Sequence, residues 1–139
     1  MNKKIALLLL LLTTKVFAQW PHENISQAVF STDVVERQPV EIITEAGNSL
    51  GKIYFFTNIR HLTGDKITHR WIHKDKVKAE ISFDIKGKRW RVWSSKNLWH
   101  TWTGQWKVEV VNQKNEILLT KIFEFGKNTH QVGTGKSNG

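Results

Sequence analysis

Val77-Lys-Ala-Glu-Ile-Ser-Phe-Asp-Ile85 carries an apolar residue at every odd position and a polar one at every even position. Successive side chains of an extended chain point to opposite faces, so this stretch reads as a half-buried strand of an antiparallel sheet. Strict alternation over the whole stretch does not fit the 3.6-residue period of a helix. The same alternation returns on both sides of it. Trp106, Val108 and Val110 alternate with Lys107 and Glu109, and Ile117, Leu119, Phe123 and Phe125 share one side of the segment 117–125.

Turn residues separate these runs. Lys74-Asp75-Lys76 reads as a short hairpin, and Lys86-Gly87-Lys88 as a second tight turn whose glycine accepts a positive φ. Asn112 to Asn115 is a third hairpin loop, and Ala46-Gly47-Asn48-Ser49 a looser break before a run rich in Tyr, Phe, Ile and Thr. The segment beginning Pro39-Val-Glu-Ile-Ile fits a strand or one helical turn alike. The reading is about seven strands, at 28–35, 51–60, 65–73, 77–85, 88–94, 104–111 and 116–125, with no helix between them. Short strands with turns every eight to twelve residues define an all-β fold, an immunoglobulin-like antiparallel β-sandwich, with a small closed barrel as the alternative.

The organisation follows from composition. Asn2-Lys3-Lys4, the apolar run Ile5–Leu12 and Val16-Phe17-Ala18 have the anatomy of a signal peptide over residues 1–18, cleaved before Gln19. The apolar run is too short for a permanent span. No cysteine follows it, which excludes a lipid-anchored start. Residues 19–27 form a lead-in, 28–125 one β-sandwich domain, and 126–139 a flexible tail of Gly, Asn, Ser and Lys. The expected product is periplasmic or secreted, monomeric, and without a transmembrane segment after cleavage. About 120 residues without a single cysteine must be held by an ordinary hydrophobic core.

The formal charge of +9 falls to +6 once Lys3, Lys4 and Lys15 are removed. A basic balance raises nucleic acid as a partner, but export and the scattered placement of the lysines argue against it. An envelope polysaccharide, another anionic polymer or an envelope protein fits better.

Six of the seven tryptophans lie between Trp71 and Trp106. The pieces His69-Arg-Trp71, Arg89-Trp-Arg-Val-Trp-Ser-Ser-Lys96 and Trp102-Thr-Gly-Gln-Trp106, with Glu36-Arg-Gln-Pro-Val40 and Gly51-Lys-Ile-Tyr-Phe-Phe-Thr57 before them, resemble the bacterial family called domain of unknown function 2914. The resemblance spans about residues 28–125 and implies an exported all-β domain. It implies no activity, cofactor or catalytic residue.

Alternation assigns Trp71, Trp90 and Trp106 to the core. Arg89, Arg91 and Trp93 share the opposite face of their strand, as a cation–π ladder or as a face for a sugar ring or anionic polymer. Trp99 and Trp102 fall in Asn97-Leu-Trp-His-Thr-Trp-Thr-Gly104, which has no strand period and reads as a loop. Indoles on a loop need a lid role or a partner. The candidate ligand-binding set is therefore Trp93, Trp99, Trp102, Arg91 and His100.

Catalysis finds no support in the sequence: there is no nucleophile-elbow pattern, and Glu80 and Glu109 read as surface ion-pair partners. His69 and His73 are too far apart along a strand to share a metal, and His61 across a hairpin at 61–66 would supply a second ligand at best. No cofactor, metal or catalytic residue is expected. The sequence points to a non-catalytic binding module of the cell envelope. The alternative is a protein-interaction or structural domain in which every tryptophan serves packing.

Overall fold

The computed structural model describes residues 19–127, so the signal segment 1–18 and the tail beyond Lys127 lie outside the described residues. Nine strands run in chain order: β1 (Ile25–Val35), β2 (Gln38–Ile42), β3 (Glu45–Ala46), β4 (Lys52–Arg60), β5 (Lys66–His73), β6 (Lys76–Asp84), β7 (Arg89–Asn97), β8 (Gly104–Asn112) and β9 (Ile117–Phe125). They form a four-stranded sheet ordered β2-β1-β4-β7 and a five-stranded sheet ordered β3-β9-β8-β5-β6. None of the described residues is helical.

Side chains of one parity on β4, β5, β8 and β9 fill most of the space between the sheets. Ile53, Phe55 and Ile59 of β4 meet Ile67 and Trp71 of β5, Trp106, Val108 and Val110 of β8, and Phe123 and Phe125 of β9. Each apolar side chain so buried contributes about 1.5–3 kcal/mol. Phe30 from β1 touches three of these aromatics, with ring centroids 4.9 Å from Phe55, 5.4 Å from Phe123 and 6.0 Å from Trp71. Apart from the brief excursion through β3, which leaves the four-stranded sheet after β2 and returns to it at β4, the chain passes from one sheet to the other between β4 and β5, between β6 and β7, and between β7 and β8. That Greek-key alternation is the immunoglobulin-like sandwich, and Trp71 sits on the strand that carries the core tryptophan in such domains.

Several details differ from the sequence reading. There are nine strands among the described residues rather than seven, the additions being β2 and β3. The undecided segment is β2, an edge strand, where Pro39 loses nothing by lacking an N–H. β3 pairs parallel with β9, so the larger sheet is mixed. Lys86-Gly87-Lys88 is not a hairpin but the crossing from β6 to β7, and its glycine is not among those with positive φ. Residues 61–65 likewise cross between sheets. β1 begins at Ile25, which shortens the lead-in to Gln19–Asn24. Gly126, read as the start of the tail, donates its N–H to the Ala46 carbonyl at 2.8 Å.

Two hairpins turn on paired left-handed residues without glycine: Glu36-Arg37 (φ 50° and 60°) and Lys74-Asp75 (φ 50° and 61°). Both positive angles define the type I′ turn, whose twist suits a two-residue hairpin. The Glu36-Arg37 turn has an unusual position. β4 separates β1 from β7, yet the Arg37 carbonyl accepts a hydrogen bond from Arg91 Nη1 of β7 at 3.1 Å. The β1–β2 hairpin therefore reaches across the outer face of β4. Phe56 of β4 points away from the core yet is 0 % exposed, with the Trp93 ring stacked beside it.

Candidate functional site

The loop between β7 and β8 carries Trp99, His100 and Trp102 at one end of the sandwich. Its base is fixed. Leu98 is buried in the core, and its N–H donates to the Gly51 carbonyl at 2.9 Å. The Trp102 N–H closes a turn onto the Trp99 carbonyl at 2.9 Å, and Trp106 Nε1 donates to the Trp102 carbonyl at 2.8 Å. His73 Nε2 donates to the Thr103 carbonyl at 2.9 Å, which assigns its ring proton to Nε2. Gly104 at φ 105° then starts β8 in a conformation that other residues rarely adopt.

On this fixed base Trp99 is 59 % exposed and Trp102 43 %. Lys96 Nζ lies 5.3 Å from the centre of the Trp102 ring, and His100 sits 5.0 Å from Trp99. Trp106, which stacks on His73 at 4.3 Å and 10°, backs Trp102 at 6.4 Å. The loop thus presents two indoles and a histidine to solvent, with the half-buried Lys96 of β7 beside them and a buried aromatic pair beneath.

Arg91 and Trp93 are not part of that surface. Trp93 is half-buried on the outer face of the four-stranded sheet and stacks on Phe56 at 6.3 Å and 16°. Among the described residues no guanidinium lies over Trp93, so the expected cation–π ladder is replaced by an aromatic stack. Arg37, Arg89, Arg91, Trp90 and Trp93 line a cavity of about 260 Å³ to which Trp99, His100 and Trp102 contribute nothing. The set Trp93, Trp99, Trp102, Arg91 and His100 therefore divides into two places. Arg37 and Arg89 were not in it. Arg89 was legible as an outward neighbour of Arg91, but Arg37 arrives from a hairpin tip 54 residues away.

Trp71 and Trp106 are buried, at 0 % and 1 % exposure. Trp90 is half-buried: it packs against the core cluster and also lines the arginine cavity.

Between the sheets lies a polar chain within the apolar core. Trp71 Nε1 donates to Ser94 Oγ at 3.0 Å, and Ser94 Oγ is 2.8 Å from His69 Nδ1. His69 Nε2 is 3.0 Å from Thr57 Oγ1, which is 3.3 Å from the Val92 carbonyl. A carbonyl only accepts, so the Thr57 hydroxyl donates to it and must accept from His69 Nε2–H. Nδ1 is then the acceptor of the Ser94 proton, and Ser94 accepts from Trp71. Every donor and acceptor is used once. Burial pushes His69 down to about 3, because a charged imidazole would lose its water and would leave Nδ1 facing a hydroxyl already committed as donor. His69 is a neutral tie between sheets.

On the outer face of the five-stranded sheet Arg70 pairs with Glu80 at 2.7 Å and Glu109 at 3.6 Å. No group of three His, Cys, Asp or Glu among the described residues is placed to hold a metal ion. None of the helices that cross membranes has a counterpart among the described residues.

Fold and core together define an immunoglobulin-like β-sandwich. Residues 64–125 match the family described as "Protein of unknown function (DUF2914)", the family that the tryptophan motifs resemble. The match takes in 62 of the 139 residues, from the start of β5 to the end of β9, and so includes the loop indoles but not the Arg37 hairpin. No curated protein matches the chain.

Proposed function

We propose that this protein is a non-catalytic binding module of the cell envelope, periplasmic or secreted, that recognises carbohydrate through the loop of Trp99 and Trp102. The observation that carries the reading is the exposure of both indoles on a loop whose backbone is held by the core. Flat aromatic faces on a fixed support bind a sugar ring with little ordering cost, which is where loop sites ordinarily lose affinity. His100 and Lys96 stand beside the rings as polar partners for hydroxyl or anionic groups.

The test is tryptophan fluorescence of the full mature chain against soluble glycans and peptidoglycan fragments. Binding should quench emission, and the Trp99→Ala plus Trp102→Ala double variant should lose it while unfolding at the parent temperature. Absence of quenching across a broad panel, or retained binding of an uncharged glycan by the folded double variant, would overturn the reading.

A protein-interaction role has one observation in its favour. The edge strand β2 and its hairpin leave Val35, Val40 and Ile42 about half exposed, at 50 %, 42 % and 55 %. An unpaired edge with apolar side chains is a surface on which another chain can add a strand.

A further inference from the structure

The arginine cavity on the outer face of the four-stranded sheet has features that the loop site lacks. Arg37, Arg89 and Arg91 gather around about 260 Å³ of space. The ion pairs within 4.0 Å among the described residues belong to Arg70, so none of the three has a carboxylate, Glu36 beside Arg37 included. Gathering three guanidinium groups without an acid costs repulsion, which a bound anion removes. Arg91 is already oriented, since its Nη1 is held by the Arg37 carbonyl. Its remaining N–H groups form the planar fork that matches an oxyanion.

Two other features narrow the ligand. Trp90 and Trp93 line the same cavity and offer apolar ring faces. The cavity is smaller than the roughly 300–1,000 Å³ that encloses a drug-sized molecule, so it suits one unit of a longer chain.

We infer that Arg37, Arg89, Arg91, Trp90 and Trp93 form a site for one acidic sugar unit, its carboxylate on the guanidinium groups and its ring on the indoles. An acidic peptide supplies the carboxylate without the ring hydroxyls, and a neutral sugar the ring without the charge. The site does not depend on the Trp99 loop, and the two are separable by variant.

Calorimetric titration of the full mature chain with trigalacturonate tests it, with maltotriose, a tri-glutamate peptide and inorganic phosphate as comparison probes. Trigalacturonate should bind, more weakly as salt is raised, and the other three should bind at least about ten-fold more weakly, the equivalent of one charge-assisted hydrogen bond. Arg37→Gly removes a guanidinium at φ 60°, where glycine is at ease, so the hairpin persists and a loss of about ten-fold in affinity reports the side chain. Arg91→Gln should lose at least as much; if it fails to fold, Arg37→Gly alone decides. The Trp99→Ala plus Trp102→Ala double variant should bind trigalacturonate as the parent does. Equal binding of maltotriose, tri-glutamate or phosphate, no binding of trigalacturonate, undiminished binding by Arg37→Gly, or loss of binding in the loop double variant would each overturn the assignment.

Discussion

Trp71 and the Trp99–Trp102 pair belong to one family of side chains in one small domain, and they live under opposite rules. Trp71 is closed off between the sheets, its N–H given to Ser94 and its ring in edge contact with Phe30 and Phe55. Trp99 and Trp102 remain about half exposed to water, although the backbone beneath them is tied to Gly51, His73 and Trp106. The difference shows that tryptophan density by itself says nothing about role. What separates the two is whether the indole face or the backbone is the part held by the core. Between them stands Trp90, with one side on the core and one on the arginine cavity.

The largest expected effect tests the buried half of this contrast. Trp71→Ala should cost about 3–5 kcal/mol in urea unfolding, the usual range for a large aromatic truncated in a core. A loss below about 1 kcal/mol would mean that Trp71 does not organise the sandwich. The second effect is a pH dependence. His69 titrates at about 3 when folded and near the ordinary 6.5 when unfolded, so between those values the unfolded chain binds the extra proton. Its contribution is complete above 6.5 and is lost as pH falls, by up to about 1.4 kcal/mol per pH unit. Unfolding curves from pH 7 to pH 4 should show this slope, and His69→Phe should flatten it. An unchanged slope in that variant would assign the acid sensitivity elsewhere. The smallest effect lies at the loop. Trp99→Ala plus Trp102→Ala should move stability by no more than about 0.5–1 kcal/mol, as surface changes do. A loss of several kcal/mol would erase the distinction and make all the indoles structural.

How much of this was legible in the sequence depended on the solvent contrast across each strand. β6 reads clearly because it is an edge strand, polar on one side and apolar on the other. β2 did not, because both its faces are largely exposed and its I′ turn uses Glu36 and Arg37 where glycine or asparagine would have signalled a hairpin. β3 is two residues long and carries no period. The crossings at 61–65 and 85–88 were mistaken for hairpins because the same turn residues serve a chain returning in its own sheet or leaving for the other. Local pattern alone placed Trp71 in the core and Trp99 and Trp102 on a loop, but the exposure of the two loop indoles was not legible, because a loop without a period does not say which face meets the core. The arginine cavity was not legible either, since Arg37 reaches Arg91 only through the path of the β1–β2 hairpin over β4.

The polar chain from Trp71 to Val92 has a consequence for watching this molecule move. The Trp71 indole proton can exchange with solvent only when Ser94 releases it, and Ser94 is reached only if the two sheets part. That proton is therefore a built-in clock for opening of the whole domain. The indole protons of Trp99 and Trp102, read in the same spectrum, would run at the pace of the open surface.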